Sequence, residues 1–267
     1  MGKQDFFKNV VIITGASSGI GKQLALRLAE QGAWLSLAGR NSDHLEEVSK
    51  ECQRLGGKVV ILPTDVAEKS QCQNLIEYTV EKYGRIDTLI NNAGFSVASR
   101  FDEMKDLTLF EKIIQVNFFG SVYCTHYALP YLKKSNGRLV AVSSLRGKLP
   151  SATAEGYGAS KHAMDEFFSS LRNELIGTGV SVTTIYPNWV STGITGRAIK
   201  ADGTQKGEIS IHEKDAMSAE TCARIIVEAI TKRKREVVMT FEGKLGLWLK
   251  LIAPKLVDRI LRKKTVQ

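Results

Sequence analysis

Short apolar runs rich in β-branched residues alternate along this chain with stretches of helical, amphipathic pattern. The apolar runs cover residues 10–14, 34–38, 58–63, 88–91, 138–143, 181–186 and 236–240. The helical patterns between them include 22–31, 42–55, 70–83, 108–134, 157–177 and 219–232. Continuous apolar strands separated by helices form a parallel sheet that is covered on both faces. The sequence therefore predicts an α/β, doubly wound, seven-stranded parallel sheet with helices on both faces, which binds ligands at the carboxyl ends of its strands.

The composition indicates a soluble protein with one core. The 267 residues are 43% hydrophobic and 24% charged, which is enough to bury a core without disulfides or metals, and we expect one domain over 1–267. The cysteines at 52, 72, 124 and 222 form no C-x-x-C pair, which favours a reducing, cytoplasmic setting. Since there is no export signal and no run of about 18 apolar residues, we expect a protein that is soluble or at most peripheral to a membrane.

Charge and histidine spacing exclude two classes of partner. The net charge of +9 comes without a nucleic-acid-binding motif, and much of it lies late in the chain. Nucleic acid is therefore not an expected partner, and an anionic cofactor or membrane surface fits the charge better. The histidines at 44, 126, 162 and 212 form no cluster with ligand spacing, and no metal site is expected.

A glycine-rich turn follows the first predicted strand directly. Residues 14–21 read T-G-A-S-S-G-I-G and open a helical pattern. Glycines let the backbone approach a pyrophosphate, and a helix N-terminus offers it unpaired N–H groups. The G-x-x-x-G-x-G spacing differs from the G-x-G-x-x-G dinucleotide fingerprint. By itself, the turn could instead serve only to pack the helix on the strand.

This turn resembles the cofactor turn of the short-chain dehydrogenase/reductase family, and further motifs follow in that family's order. N-N-A-G stands at 91–94, Asn117 lies in a V-N-F segment, Ser144 follows a strand, and Y-x-x-x-K runs from Tyr157 to Lys161. The resemblance covers about the first 190 residues and implies a Rossmann fold, a nicotinamide cofactor and interconversion of a carbonyl and an alcohol. One departure is visible at 188–189, where Asn and Trp replace the family's usual Gly and a variable residue.

The resemblance implies that several strand ends hold the cofactor, with Asp65 and Val66 at the adenine and 187–192 at the nicotinamide amide group. The implied cofactor-binding residues are Gly15, Ser17, Ser18, Gly19, Ile20, Gly21, Arg40, Asp65, Val66, Asn91, Ala93, Gly94, Tyr157, Lys161, Pro187, Val190 and Thr192. Arg40 stands where an acid would bind a ribose 2′-hydroxyl, and its positive charge suits a 2′-phosphate. The sequence favours NADP(H), although Arg40 could also be an ordinary surface charge.

Four residues form the expected catalytic set: Asn117, Ser144, Tyr157 and Lys161. A helix beginning near Tyr157 places Lys161 one turn away, where its ammonium would lower the phenol pKa from about 10 toward working pH. Tyr157 would then act as general acid/base, and Ser144 would hydrogen-bond the substrate oxygen. By the family's pattern, Asn117 would hold a water that links Lys161 to solvent. Taken singly, such residues are usually turn residues, caps or a solvated helix face.

Two segments lie outside these motifs. Residues 194–218 are polar and long for a connection, which predicts a substrate lid or a disordered insertion. Residues 241–267 form a basic amphipathic extension, with an apolar Trp-bearing stretch and seven Lys/Arg against two acids, or +5. This extension fits a peripheral membrane contact as well as it fits a helix covering a subunit contact or the substrate entrance.

Within the family, residues 198–203 and the extension most resemble the dehydrogenase/reductase member 7B group, and residues 144–148 resemble hydroxysteroid dehydrogenases. Both resemblances imply a bulky, apolar (lipid- or steroid-like) ketone or alcohol as substrate, with reduction as the favoured direction. The family also implies a homodimer or homotetramer formed through its long helices. An alternative function is a catalytically idle NADP(H)-binding sensor or scaffold at a membrane, against which the intact Ser144, Tyr157 and Lys161 argue.

Overall fold

The structure is a computed structural model that describes residues 5–97, 99–104, 106–207 and 216–265. Its strands are β1 (Val10–Thr14), β2 (Trp34–Gly39), β3 (Lys58–Pro63), β4 (Thr88–Asn91), β5 (Arg138–Val142), β6 (Ser181–Tyr186), β7 (Val190–Ser191), β8 (Met217–Ser218) and β9 (Glu236–Val238). All but the short pair β7 and β8 form one parallel sheet in the order β3-β2-β1-β4-β5-β6-β9. The chain reverses its direction of travel across the sheet between β1 and β4, which makes this the topological switch point. The predicted fold class is confirmed.

Helices cover both faces of this sheet. They are α1 (Gly19–Ala29), α2 (Ser42–Arg54), α3 (Lys69–Tyr83), α4 (Thr108–Ile114), α5 (Gly120–Ser135), α6 (Glu155–Glu174), α7 (Ala219–Thr231), α8 (Phe241–Ile252) and α9 (Pro254–Thr265). One buried cluster joins α1, α2 and α7 to the sheet, and a second joins α3, α5 and α6 to the opposite face. Successive strand residues point to opposite faces, so Val11 and Ile13 enter the first cluster and Ile12 the second.

The predicted helix over 108–134 is interrupted in the structure. Helix α4 ends at Ile114, a π-helical turn covers Gln115–Phe119, and α5 begins at Gly120. A π-helical turn accommodates an extra residue in the helical repeat, and such turns are frequent at functional sites. Here the turn carries Asn117, which is completely buried. An amphipathic pattern does not reveal this interruption, because hydrophobic spacing on either side of it remains helical.

The predicted lid, 194–218, is described only in part, because 208–215 lie outside the described residues. Its first half returns to the segment after β4, where the Ile199 amide donates to the Ser96 carbonyl at 3.1 Å. A further backbone hydrogen bond of 2.9 Å joins Gly207 to Gly196. The strands β7 and β8 pair where the segment leaves and rejoins the fold. Its role as a lid stays a prediction.

The C-terminal extension folds into α8 and α9, which contact each other. A small buried cluster of Leu145, Leu149 and Val257, with Leu247 and Leu261 beside it, attaches the two helices to the turn that follows β5. Within the described residues, no helix is long and apolar enough to cross a bilayer. The same residues contain no group of three or more His, Cys, Asp or Glu side chains placed to hold a metal ion.

Candidate active site

The glycine turn between β1 and α1 is shaped for close approach of a ligand. Gly15 and Gly19 have φ of +66° and +54°, the left-handed region that glycine adopts without strain. A Cβ on Gly21 would lie 2.1 Å from the Gly15 carbonyl oxygen. The turn also places the N-terminus of α1 at the carboxyl end of β1, and the Ser18 side chain forms no capping bond. A dinucleotide pyrophosphate fits this arrangement, because the first N–H groups of a helix have no partner within the helix.

The second strand-end motif, residues 91–94, is bound directly to the glycine turn. The Asn92 side chain donates to the carbonyls of Thr14 and Gly15 at 2.9 and 3.2 Å. The Thr14 hydroxyl accepts from the amides of Asn92 and Ala93 at 3.0 Å each. Thr14 and Asn92 therefore hold two parts of the site together. We did not single out either residue from the sequence, although both lie inside the motifs that we recognised.

Residues 187–192, expected near the nicotinamide, lie against the same turn. A Cβ on Gly19 would be 3.1 Å from the Thr192 Cβ. The Pro187 carbonyl accepts from the Leu145 amide at 2.9 Å, which joins this segment to the turn after Ser144. Val190 is buried in β7. The structure thus brings Pro187, Val190 and Thr192 to the end of the sheet where the glycine turn lies.

The remaining expected cofactor residues follow β2, β3 and β4. Arg40 is exposed just beyond β2, and none of the ion pairs within the described residues involves it. The Asp65 carboxylate already accepts from the Ala67 amide at 3.0 Å. Asn91 is buried, and its Oδ1 has no hydrogen-bond partner among the described residues. Arg40 and Asp65 lie on the β2–β3 side of the glycine turn, and Asn91 lies on its other side, at the end of β4.

Ser144 and Tyr157 lie close together at the end of β5. Ser144 caps the 3₁₀ turn Leu145–Gly147, and its Oγ accepts from the Arg146 amide at 3.2 Å. Tyr157, in the first turn of α6, lies near the Ser144 side chain. Burial raises the pKa of Tyr157 above its usual value, while the nearby Ser144 hydroxyl and the charge of Arg146 lower it in part. Burial is the largest of these effects, so the phenol is protonated at neutral pH.

Lys161 binds the strand that leads to Ser144. Its side chain is buried, its ammonium donates to the Val142 carbonyl at 2.9 Å, and it lies 6.0 Å from the centre of the Tyr157 ring. Burial lowers the pKa of Lys161 to about 8. Arg146 is a cation that lowers the Tyr157 pKa in this structure. The expectation that Lys161 also lowers it stays a prediction, since helical spacing places two side chains on one face without specifying where a long side chain ends.

The Asn117 side chain is occupied by protein groups. Its Oδ1 accepts from the Phe95 amide at 3.0 Å, and its Nδ2 donates to the Phe95 carbonyl and to Ser160 Oγ at 3.1 and 3.0 Å. Ser160 in turn donates to the Tyr157 carbonyl at 2.7 Å. Asn117 therefore ties the segment after β4 to the first turns of α6. The expected water between Asn117 and Lys161 stays a prediction.

A family model described as short chain dehydrogenase matches residues 9–203. The chain belongs to the short-chain dehydrogenase family. It is 36% identical to 11-beta-hydroxysteroid dehydrogenase 1A of Arabidopsis thaliana over 262 residues, which cover 96% of this chain and 75% of the relative. It is 33% identical to 11-beta-hydroxysteroid dehydrogenase A of Sesamum indicum over 265 residues, covering 97% and 76%. The expected likeness to hydroxysteroid dehydrogenases is confirmed, and the likeness to the member 7B group stays a prediction.

Solved structures of other proteins share the fold of this short-chain dehydrogenase. A short-chain dehydrogenase/reductase from Burkholderia phymatum in complex with NAD superposes with a TM-score of 0.83 at 24% identity, covering 94% of this chain and 96% of the other. An alcohol dehydrogenase from the archaeon Thermococcus sibiricus, complexed with 5-hydroxy-NADP, has a TM-score of 0.75 at 25% identity, covering 86% and 94%. The chain is thus an oxidoreductase that interconverts an alcohol and a ketone with a nicotinamide cofactor.

This short-chain dehydrogenase has a cation in its active site that we did not predict. The Arg146 guanidinium lies 4.7 Å from the centre of the Trp189 ring, a cation–π distance. Burial lowers the pKa of Arg146, and the nearby Tyr157 raises it in part. No ion pair within the described residues involves Arg146. Arg146 lies in residues 144–148, which resemble hydroxysteroid dehydrogenases, and Trp189 lies where the sequence departs from the family pattern.

A charged network supports the turn that carries Ser144 and Arg146. The Lys148 ammonium lies 3.0 Å from the Asp165 carboxylate and 3.8 Å from that of Glu236. Asp165 also accepts a hydrogen bond from the Tyr186 hydroxyl. Because Lys148 follows the 3₁₀ turn, Asp165 belongs to α6 and Tyr186 ends β6, the network joins three elements of the site. Buried charges that are paired in this way hold one geometry strongly, since breaking the pair leaves an uncompensated charge.

Proposed function

We propose that this short-chain dehydrogenase is an NADP(H)-dependent oxidoreductase that reduces a bulky, apolar, lipid- or steroid-like ketone to a secondary alcohol. Tyr157 is the general acid/base. The observation that carries the proposal is the placement of the Tyr157 and Ser144 side chains near each other at the end of β5, next to the segment that lies against the glycine turn. Two hydroxyl groups on one substrate oxygen, beside a nicotinamide site, suit hydride transfer to a carbonyl.

The nicotinamide supplies the hydride when it is bound. Tyr157 gives its proton to the substrate oxygen as negative charge develops there, and the Ser144 hydroxyl hydrogen-bonds the same oxygen. The raised pKa of Tyr157 keeps this proton in place at neutral pH, which favours carbonyl reduction. Lys161 and Asn117 complete the catalytic set by holding β5 and the segment after β4 against α6.

Cofactor contacts come from the strand ends. Gly15, Ser17, Ser18, Gly19, Ile20 and Gly21 would hold the pyrophosphate, Asp65 and Val66 the adenine, and Asn91, Ala93, Gly94, Tyr157, Lys161, Pro187, Val190 and Thr192 the nicotinamide half. Arg40 would pair with the 2′-phosphate of NADP(H), which its exposed position beyond β2 supports. The whole chain acts as one cytoplasmic domain, with 194–218 as substrate lid and with a homodimer or homotetramer as its assembly.

The substrate class is supported by the relatives. Those described above are named 11-beta-hydroxysteroid dehydrogenases, and steroids are large and apolar. The C-terminal helices add apolar surface beside the turn after Ser144. A panel of steroid, lipid and small polar ketones, monitored by NADPH consumption, tests this class. Turnover confined to the small polar carbonyls would contradict it.

The mechanism is tested by Tyr157→Phe, which removes the proton donor and leaves the ring. We expect turnover to fall by a factor of about 10²–10⁴, while NADPH binding, followed by fluorescence titration, stays near that of the unchanged protein. Tyr78→Phe, on α3 and far from the site, is the matched control and should leave both quantities unchanged. Equal turnover in Tyr157→Phe and the control would refute the role of Tyr157.

A further inference from the structure

The two C-terminal helices expose an unusual amount of apolar side chain. We define the apolar face as Phe241, Leu245, Trp248, Leu251, Ile252, Leu256 and Ile260. Phe241 is 79% exposed, Trp248 59% and Leu251 83%. In the part of the chain that the structure describes, the other large exposed apolar residues are scattered over earlier elements. A concentration of this kind marks an interaction surface, whereas single exposed apolar residues are ordinary.

The spacing of these residues shows that they form stripes. Residues 241, 245, 248 and 252 recur at intervals of four, three and four, which is one side of α8, and 256 and 260 are one turn apart on α9. The opposite sides of the two helices are already in use. Gly243 is buried, and Val257 packs in the cluster with Leu145 and Leu149. The apolar face is thus a second hydrophobic side, which is exposed in the described part of the chain.

The charges around the apolar face indicate what covers it. Lys244 lies three residues after Phe241 and four before Trp248, which places it on the same side of α8. Lys255 and Arg259 are exposed on α9, and 241–267 carry a net charge of +5. Two copies joined through this face would bring two such charges together. An anionic lipid surface complements the same charge and accepts apolar side chains between its headgroups.

We propose that the apolar face docks this short-chain dehydrogenase on an anionic phospholipid bilayer, with α8 and α9 lying in the interface. If the proposed function holds, the docked orientation also serves transfer of an apolar substrate from the bilayer to the enzyme. Lys250 of α8 donates to the Lys148 carbonyl at 2.6 Å, and it lines a cavity of about 390 Å³ together with Arg146, Leu149 and His162. An apolar ketone dissolved in the bilayer therefore has a short route toward the turn that follows Ser144.

The test is co-sedimentation of the full chain with vesicles of phosphatidylcholine alone or of phosphatidylcholine with phosphatidylglycerol. We expect binding to the anionic vesicles, and we expect Trp248→Asp with Leu251→Asp to weaken it by about tenfold or more. Lys244→Glu with Lys255→Glu should weaken binding to vesicles that contain phosphatidylglycerol by about tenfold and should not change binding to phosphatidylcholine alone. The matched controls are Leu107→Asp with Ile176→Asp, which are exposed elsewhere, and Lys69→Glu with Lys234→Glu. All variants should reduce a water-soluble ketone at the rate of the unchanged protein.

Several results would overturn this docking surface. They are absence of vesicle binding, equal loss in the control pairs, or equal binding to neutral and anionic vesicles. The face would instead belong to a contact with a second copy if two results came together. The unchanged protein would not bind vesicles, and light scattering would give the Trp248→Asp, Leu251→Asp variant half the mass of the unchanged protein. Because Tyr157→Phe should bind vesicles normally, sedimentation without ketone reduction would refute only the proposed function. Ketone reduction without sedimentation would refute only the docking.

Discussion

The Lys161 ammonium donates a hydrogen bond to the carbonyl of Val142 at 2.9 Å. Val142 is the last residue of β5, and Ser144 lies two residues beyond it, so this bond joins α6 to the strand that positions the serine. Lys161 is buried, and burial lowers its pKa from 10.5 to about 8. The folded protein therefore holds this charge at a cost in free energy, as active sites often do.

Replacing Lys161 by methionine should separate stability from activity. At pH 7 we expect the free energy of unfolding to rise by up to about 3 kcal/mol, reduced by the lost hydrogen bond to Val142. Between pH 8 and 10.5 the unfolded wild type binds more protons than the folded one, so wild-type stability rises across this range. Urea unfolding at pH 7 and 10 measures the difference, which should shrink at the higher pH. If the difference in unfolding free energy between Lys161→Met and wild type did not change with pH, the buried charge of Lys161 would not be its cause. The turnover of Lys161→Met should fall whatever its stability.

Replacing Arg146 by glutamine should change the pH dependence of turnover. The Arg146 charge lowers the pKa of Tyr157, so its removal raises that pKa further. In alcohol oxidation the phenolate is the base, and the rising limb of the pH profile should move to higher pH. In ketone reduction the falling limb should move the same way. Arg146→Lys should restore part of the original profile, and Arg54→Gln, on α2, is the control. Identical profiles for Arg146→Gln and Arg54→Gln would exclude this electrostatic effect.

Replacing Arg40 by aspartate should reverse the cofactor preference. A carboxylate repels the 2′-phosphate of NADPH and accepts a hydrogen bond from the ribose 2′-hydroxyl of NADH. We expect NADPH affinity to fall by about 10- to 100-fold, since a hydrogen bond to a charged group contributes about 1.5–3 kcal/mol, while NADH affinity rises. Fluorescence titration with both cofactors measures the ratio. If the unchanged protein already binds NADH more tightly, the role proposed for Arg40 is wrong.

Replacing Gly21 by alanine should damage the glycine turn itself. The new Cβ would meet the Gly15 carbonyl oxygen at 2.1 Å, and a backbone atom cannot move away as a flexible side chain can. We expect a loss of about 1–3 kcal/mol in unfolding free energy, as for overpacked cores, together with weaker cofactor binding. Ser18→Ala is the control, because the Ser18 side chain makes no capping bond and its removal should change stability by less than about 0.5 kcal/mol. Thermal unfolding of both variants without cofactor provides the comparison.

Much of the candidate site could be predicted because strand ends are visible in the sequence. Each β-branched run is followed by a distinctive short motif, and the carboxyl ends of parallel strands share one edge of a sheet. The glycine turn, residues 91–94 and Ser144 are therefore brought to one edge by topology alone. Arg146 and Asn92 could not be assigned in this way. What they do depends on where the ends of their side chains lie, which a linear pattern does not record.

The sequence by itself determined the sheet, the order of its helices and the family, because these follow from hydrophobic period and from short motifs at strand ends. Tertiary structure alone decided the electrostatics of Tyr157. Packing buries the phenol and raises its pKa, the Val142 carbonyl binds the Lys161 ammonium, and the turn after Ser144 brings Arg146 near the phenol. Burial and distance between charges set a pKa, and both exist only once the chain has folded.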